Sequence, residues 1–197
     1  MNNLNKSNKF KIFAFFIIIL TCVILFSSCQ NKIKNVSTEI ALGDETGILA
    51  ENSAVDFYFY YPENFTIERN DAMITIFIND NSVADILTKP NLSATVFGIQ
   101  TGTYETAEEY WNDFVFPSYK EVFHDIEIVS EEDLTVDEIP AKKYTYTVSM
   151  SGMNFKISEV IFFRKQQVYD LTYTVTENKY DTYAHILNTA VDTFKFK

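Results

Sequence analysis

The most specific chemistry in this chain lies in five residues, Leu25-Phe26-Ser27-Ser28-Cys29. A cysteine thiol can take a diacylglyceryl group as a thioether, and the small Ser27 and Ser28 before it leave room for a signal peptidase to hold the backbone. Other residue types that do chemistry are sparse. His124 and His185 are the only histidines, and neither has the His-x3-His spacing or the neighbouring Cys that a zinc site needs. No serine stands in a nucleophile elbow, and no G-x-x-x-x-G-K loop occurs. Glu131, Glu132, Asp133, Asp137 and Glu138 form the one dense acidic segment, but it lacks the alternating ligands and turn glycine of a calcium loop. Trp111, Tyr58, Tyr60 and Tyr61 could stack a planar ligand, although aromatics at strand or helix spacing more often fill a core. Glu159 stands among Phe155, Ile157, Ile161 and Phe163 on one side of an expected strand. Either it is buried and paired, or a bulge turns it to water, and the bulge is the plainer expectation.

The N-terminus sets the frame for Cys29. Lys6, Lys9 and Lys11 precede an apolar run from Ile12 to Phe26, broken only by Thr21 and Cys22. A membrane-spanning helix needs about 17–25 apolar residues, so this run is short for a span and suits a cleaved signal segment. The segment resembles a bacterial lipobox, with Phe26 where Leu is usual. The expected product is a mature chain starting at Cys29, lipid-anchored on the extracytoplasmic face of the cell membrane. An uncleaved anchor is the alternative, and it leaves the domain on the same side.

The chain has 16 Lys+Arg and 27 Asp+Glu, a formal charge of −11. All three leader lysines are lost on cleavage, so the mature part is more acidic still. Nucleic acid and anionic headgroups repel such a chain, which argues against nucleic-acid partners and for a covalent membrane anchor. Cys22 and Cys29 are the only cysteines, so the mature domain holds no disulfide and its stability must come from a core.

Residues 29–54 read as the lipidated N-terminus and a flexible tether, with Ile40-Ala41-Leu42 and Ile48-Leu49 as its only apolar patches, through which part of it could dock on the domain. The globular domain is expected over 55–197. Strands are predicted from Asp56 to Tyr61, Phe65 to Arg69, Met73 to Asn79 and Leu92 to Gln100. Thr106-Ala107-Glu108-Glu109 has capping-box spacing and opens a helix whose apolar stripe includes Ala107, Tyr110, Trp111, Phe114, Val115, Val122 and Phe123. Pro117 should kink or split it. A strand from Ile126 to about Val129 leads into the acidic segment, read as a solvated loop. Three alternating strands then form an antiparallel meander with turns at Ser151-Gly152 and Lys165-Gln166-Gln167, and a second helix closes the chain.

Tyr61-Pro62-Glu63-Asn64-Phe65, Thr106-Ala107-Glu108-Glu109-Tyr110-Trp111, Ile139-Pro140-Ala141-Lys142-Lys143-Tyr144 and Thr193-Phe194-Lys195-Phe196 stand in that order as landmarks. On these residues the chain resembles PsbP-like domains, which include many bacterial lipoproteins. The resemblance covers about Val55 to Lys197 and implies an α+β fold, an antiparallel β-sheet with helices packed on both faces (an α/β/α sandwich). The photosystem role of the plant subunit is not implied, because no docking or ion-retaining residue matches. The expectation is a non-enzymatic binding or accessory domain for an envelope protein partner, without metal or cofactor. The alternatives are a small-ligand receptor and a cell-envelope hydrolase. The acidic residues Glu131, Glu132, Asp133, Asp137 and Glu138 are the candidate partner-facing site, where like charges packed closely would welcome a basic partner.

Overall fold

The fold follows from a long run of alternating β-branched and aromatic residues closed by tight turns. It is seen in a computed structural model that describes residues 36–78, 88–98 and 104–197. Seven strands form one antiparallel sheet, in the spatial order β4 (Phe65–Asn70), β5 (Met73–Ile78), β6 (Asn91–Gly98), β10 (Gln167–Thr176), β9 (Met153–Arg164), β8 (Ile139–Met150) and β7 (Glu127–Val136). A smaller sheet joins β1 (Glu39–Leu42), β2 (Glu45–Glu51), β3 (Phe57–Pro62) and β11 (Lys195–Phe196). Strand dominates, and the helices are few and short.

The meander β7–β10 is held by three two-residue turns with positive φ at both positions: Asp137 and Glu138 at 46° and 68°, Ser151 and Gly152 at 54° and 79°, and Lys165 and Gln166 at 50° and 64°. Such turns match the twist of the strands they join and fix the register of each pair. Period-2 alternation then divides the sheet into two apolar faces. Tyr144, Tyr146, Val148, Phe155, Ile157, Ile161 and Val168 point to one side and pack with Ala107, Tyr110, Trp111 and Val115 from the first helical segment. Val160, Phe162, Tyr169, Leu171, Tyr173 and Val175 point to the other and pack with Phe57 and Phe59 of β3 and with Ile186, Leu187 and Ala190 of the last helix.

The first helical segment changes type along its length. α1 (Ala107–Tyr110) is capped by Thr106, whose hydroxyl accepts from the Glu109 backbone while the Glu109 carboxylate accepts from the Thr106 N–H. Trp111–Val115 is a π-helical turn, and α2 (Phe116–Val122) resumes with Pro117 in its first turn, where a missing N–H costs little. The expected break at Pro117 is therefore taken up by the wider turn before it. That turn also shifts the stripe: Trp111 is buried, but Phe114 and Val122 are 49% and 41% exposed, contrary to a single apolar face. At the C-terminus, α3 (Tyr180–Tyr183) and α4 (His185–Thr193) form the second helical segment.

Three expectations need correction. Residues 39–51 are a β-hairpin rather than a tether: β2 pairs with β3, and Ala50 is fully buried in the core. Ile48 and Ala50 lie on the core side of β2, Leu49 is buried on the other side of the strand, and Ala41 is exposed. The acidic segment is not a loop. Glu131, Glu132 and Asp133 lie within β7, opposite Tyr144, Lys143 and Lys142, and Asp137 and Glu138 are the turn into β8. The facing lysines make a strand of acids tolerable. The bulge expected at Glu159 occurs instead in β7, between Ile128 and Ser130, and β9 runs through Glu159 in unbroken register.

Candidate functional site

Unbroken register leaves Glu159 pointing into the core under the first helical segment, 1% exposed. Its strand neighbours across the ladder are Tyr144 on β8 and Thr172 on β10. The same transverse row continues through Ser93 on β6 and Thr75 on β5, and on the other side reaches Glu131 on β7. The row ends at Glu68 on β4 and so crosses all seven strands; beside it β8 and β9 carry mainly apolar residues, whereas β6 and β10 carry Asn91, Thr95, Asp170 and Thr174. Buried polar groups persist only when paired, and this row is paired locally. The Thr75 and Ser93 hydroxyls lie 3.1 Å apart, and Thr172 Oγ1 donates to Asp170 Oδ1 at 2.8 Å.

Glu159 is the hub. Tyr146 Oη from β8 and Tyr119 Oη from α2 both donate to its Oε2, at 3.0 and 3.1 Å. The Glu159 carboxyl also hydrogen-bonds the Asp170 carboxyl, which faces the same side one residue pair along the ladder. Two carboxyls joined by a hydrogen bond must share a proton. Burial pushes Glu159 well above the usual carboxylate range, and the neighbouring Asp170 charge adds to that, against the opposing pull of the two tyrosine hydroxyls. Asp170, partly exposed, is raised by burial to about 6, moderated by the hydrogen bonds from Glu159 and Thr172. The environments are unequal, so the proton belongs to Glu159, which donates it to the Asp170 carboxylate. Desolvation likewise raises Tyr119 and Tyr146, with their acidic and phenolic neighbours adding to it, and both stay neutral donors.

Chemically, this arrangement can hold one proton between two carboxyls, as paired acids do in some hydrolases. Here the more perturbed acid is shut into the core with both tyrosine donors on one oxygen. What it does in this conformation is fasten α2 to the middle of the sheet. Trp111 completes the contact, stacked on Tyr144 at 4.0 Å between ring centres and 5° between planes. The Tyr144 hydroxyl is buried and has no hydrogen-bond partner among the described residues.

The acidic candidates are divided among separate interactions. Lys142 Nζ bridges Asp133 Oδ1 at 2.9 Å and Glu108 Oε2 at 3.3 Å. Lys143 Nζ meets Glu132 Oε1 at 3.1 Å. Asp137 accepts from Lys195 Nζ and from the Phe196 N–H, tying the β7–β8 turn to β11. Burial works to raise Asp137, but these hydrogen bonds outweigh it and hold the carboxyl below its ordinary value. Glu131 and Glu138 are exposed, with no cation at ion-pair distance among the described residues. Among the described residues, no group of three His, Cys, Asp or Glu could hold a metal ion, and no helix is long and apolar enough to cross a membrane. His124 and His185 are both exposed. Cys29, the leader 1–28 and the expected strand end at Gln100 lie outside the described residues.

Asp170, Tyr119 and Tyr146 were not singled out from sequence, though the signal was there. A two-residue turn at Lys165-Gln166 sets Glu159 opposite Thr172 and Ile161 opposite Asp170, which places both acids on one face.

Cyanobacterial PsbP (CyanoP) from Synechocystis sp. PCC 6803 superposes with a TM-score of 0.55 at 14% identity, covering 87% of this chain and 98% of its own. LpqN of Mycobacterium tuberculosis, described as involved in cell envelope biogenesis, gives 0.55 at 13% identity, covering 81% and 90%. The chain has a PsbP-like fold. A protein of unknown function from Pseudomonas aeruginosa is similar too, with a TM-score of 0.52 at 10% identity, covering 73% of this chain and 92% of its own. No family model matches the sequence, and no curated protein matches it. At these identities the PsbP-like likeness concerns the fold alone, and the carboxyl pair is read from this chain's own residues.

Proposed function

We propose that this is a lipid-anchored, extracytoplasmic accessory domain that binds an envelope protein partner and carries out no chemistry of its own. The observation that carries this reading is the joining of a Ser27-Ser28-Cys29 leader to a PsbP-like domain, a fold shared with LpqN. In the same reading the domain is layered, with helices packed on both faces of the large sheet in the manner of PsbP-like sandwiches. The buried state of Glu159 supports a structural role for the most perturbed acid. An acidic surface suits a module held at the membrane by lipid rather than by charge.

The test has two arms. Mass spectrometry of the mature protein should find diacylglycerol on Cys29, and Cys29→Ala should leave unprocessed precursor. Cross-linking on intact cells should recover a defined envelope protein with the wild type, and much less of it with Cys29→Ala. An intact Met1 terminus in the wild type overturns the anchor. Turnover of an envelope substrate by the purified full chain, abolished by Asp170→Asn, overturns the non-enzymatic reading.

A further inference from the structure

The seven-stranded sheet has two edges, and they are built differently. The β4 edge is six residues long and is held by the chain leaving β2. There the Arg69 guanidinium donates to the Glu51 carbonyl, and the Asn52 amide donates to the carbonyls of Asn70 and Met73. The β7 edge is ten residues long. One side of its backbone pairs with β8, and among the described residues no strand pairs with the other. An open edge is a row of unused N–H and C=O groups, and an extended chain can add to it as a further strand.

We propose that the outer side of β7 is the docking edge for an extended, lysine- or arginine-bearing segment of a protein partner. This rests on the reading of the domain as a protein-binding module. The charge on β7 selects the occupant. Glu127, Glu131, Glu132 and Asp133 are all exposed along it. The chain's own lysines answer only part of this charge: Lys143 meets Glu132 and Lys142 meets Asp133, whereas Glu127 and Glu131 have no cation at ion-pair distance among the described residues. These two point to opposite faces of the sheet, so an added strand with a cation on each face would meet both. Val129, at the bulge and 52% exposed, offers an apolar contact between them. A second copy of this chain is a poor occupant, because pairing β7 with β7 sets acid against acid. The bulge and the acids are the devices that keep edges from self-association, and the same acids leave the edge open to a basic strand.

The probe is a synthetic peptide of about ten residues alternating Lys and Val, the length of an ordinary strand. It is offered to the full-length protein in vesicles of neutral phosphatidylcholine. Binding is followed by fluorescence anisotropy of the labelled peptide, and its location by amide hydrogen exchange. Two controls separate backbone pairing from charge: the same peptide N-methylated at alternate residues, and a peptide with Glu in place of Lys. The expected result is binding of the lysine peptide with slowed exchange confined to β7. Binding should weaken about tenfold on N-methylation, and about tenfold again in the Glu127→Lys, Glu131→Lys protein at low salt. Equal binding of the N-methylated peptide, or slowed exchange in another element, overturns the proposal. The N-methyl comparison needs no protein variant, so it decides even if the double reversal folds poorly. If β7 binds no peptide while cross-linking in cells still captures a partner, the edge inference alone falls. If β7 binds the peptide and cells yield no partner, the accessory reading falls and the edge stands.

Discussion

Replacing Glu159 with Gln and with Ala should have opposite consequences. A protonated Glu159 and a Gln present the same groups: one oxygen accepting from Tyr119 and Tyr146, and one donor toward Asp170. Ala removes the acceptor of both tyrosine hydroxyls, a loss of about 1–3 kcal/mol, and opens a cavity as well. Glu159→Ala should therefore cost about 3–6 kcal/mol, a large part of the roughly 5–15 kcal/mol that holds a domain together. The Gln variant should match or exceed the wild type near neutrality, for a reason of linkage. The folded-state value of Glu159 is raised above its ordinary 4.5, so its contribution is fully present below that pH and is lost as pH rises toward the folded value. Between pH 4.5 and 7 this amounts to at most about 3 kcal/mol, and Gln is free of it. Urea unfolding followed by the fluorescence of Trp111, the only tryptophan, reads both variants and their pH dependence. The Gln variant should gain on the wild type as pH rises from about 4.5 to about 8, and the two should converge at the acid end. If Gln costs as much as Ala at pH 7, Glu159 is an anion held by charge, and the shared-proton reasoning is wrong.

Trp111→Ala removes a fully buried ring stacked on Tyr144 and should cost about 3–5 kcal/mol, measured by thermal unfolding followed by circular dichroism; a loss under about 1 kcal/mol would show that the helical segment is loosely packed. Tyr144→Phe removes a buried hydroxyl that has no partner among the described residues and keeps the ring stack, so stability should hold or rise by about 1 kcal/mol. A clear loss would show that this hydroxyl is bonded in solution. Asp137→Asn should cost about 1 kcal/mol at neutral pH. The folded-state value of Asp137 is lowered, so its contribution is present above its ordinary 3.8 and is lost as pH falls through the folded value. The variant and the wild type should therefore converge in acid unfolding below about pH 3.

The meander was legible because its signals agree. Tyr144, Tyr146 and Val148 alternate with polar residues, and the turns at Ser151-Gly152 and Lys165-Gln166 lie where the alternation stops. Thr106 and Glu109 formed the capping box that their spacing implied. The misreadings came from composition overriding pattern. Five acids within eight residues read as solvent-facing loop, although Leu134 and Val136 continue the period of the strand, and Lys142 and Lys143 supply the opposing charge only once the hairpin has closed. The β1–β2 hairpin was hidden in the same way, because its burial depends on β3, a partner that no local window contains. Glu159 was misread through a sound rule, that a lone buried carboxylate is too costly. The acid is not alone, and burial beside Asp170 favours its neutral form.

The position of that acid explains how a polar row can pass between the apolar residues of β8 and β9. A buried hydroxyl or carboxyl is tolerated when the ladder itself delivers its partner. Thr75 and Ser93 are a cross-strand pair, and Thr172 lies beside Asp170 on its own strand. Glu159 lies at the point where the row passes beneath α2, and there the ladder gives its Oε2 only one hydroxyl, that of Tyr146. The second comes from Tyr119, so the carboxyl is fully served only when the helical segment is seated and its π-turn has set the phase of α2. Sliding the helix by one residue would swing Tyr119 by about 100° away from Glu159, leaving both groups buried and one donor short. An apolar face can accept a helix in several registers at nearly equal energy, whereas a buried carboxyl with a fixed number of donors accepts one. The polar row thus specifies where the helical segment sits on the sheet, and it surfaces at both edges, at Glu131 on β7 and at Glu68 on β4.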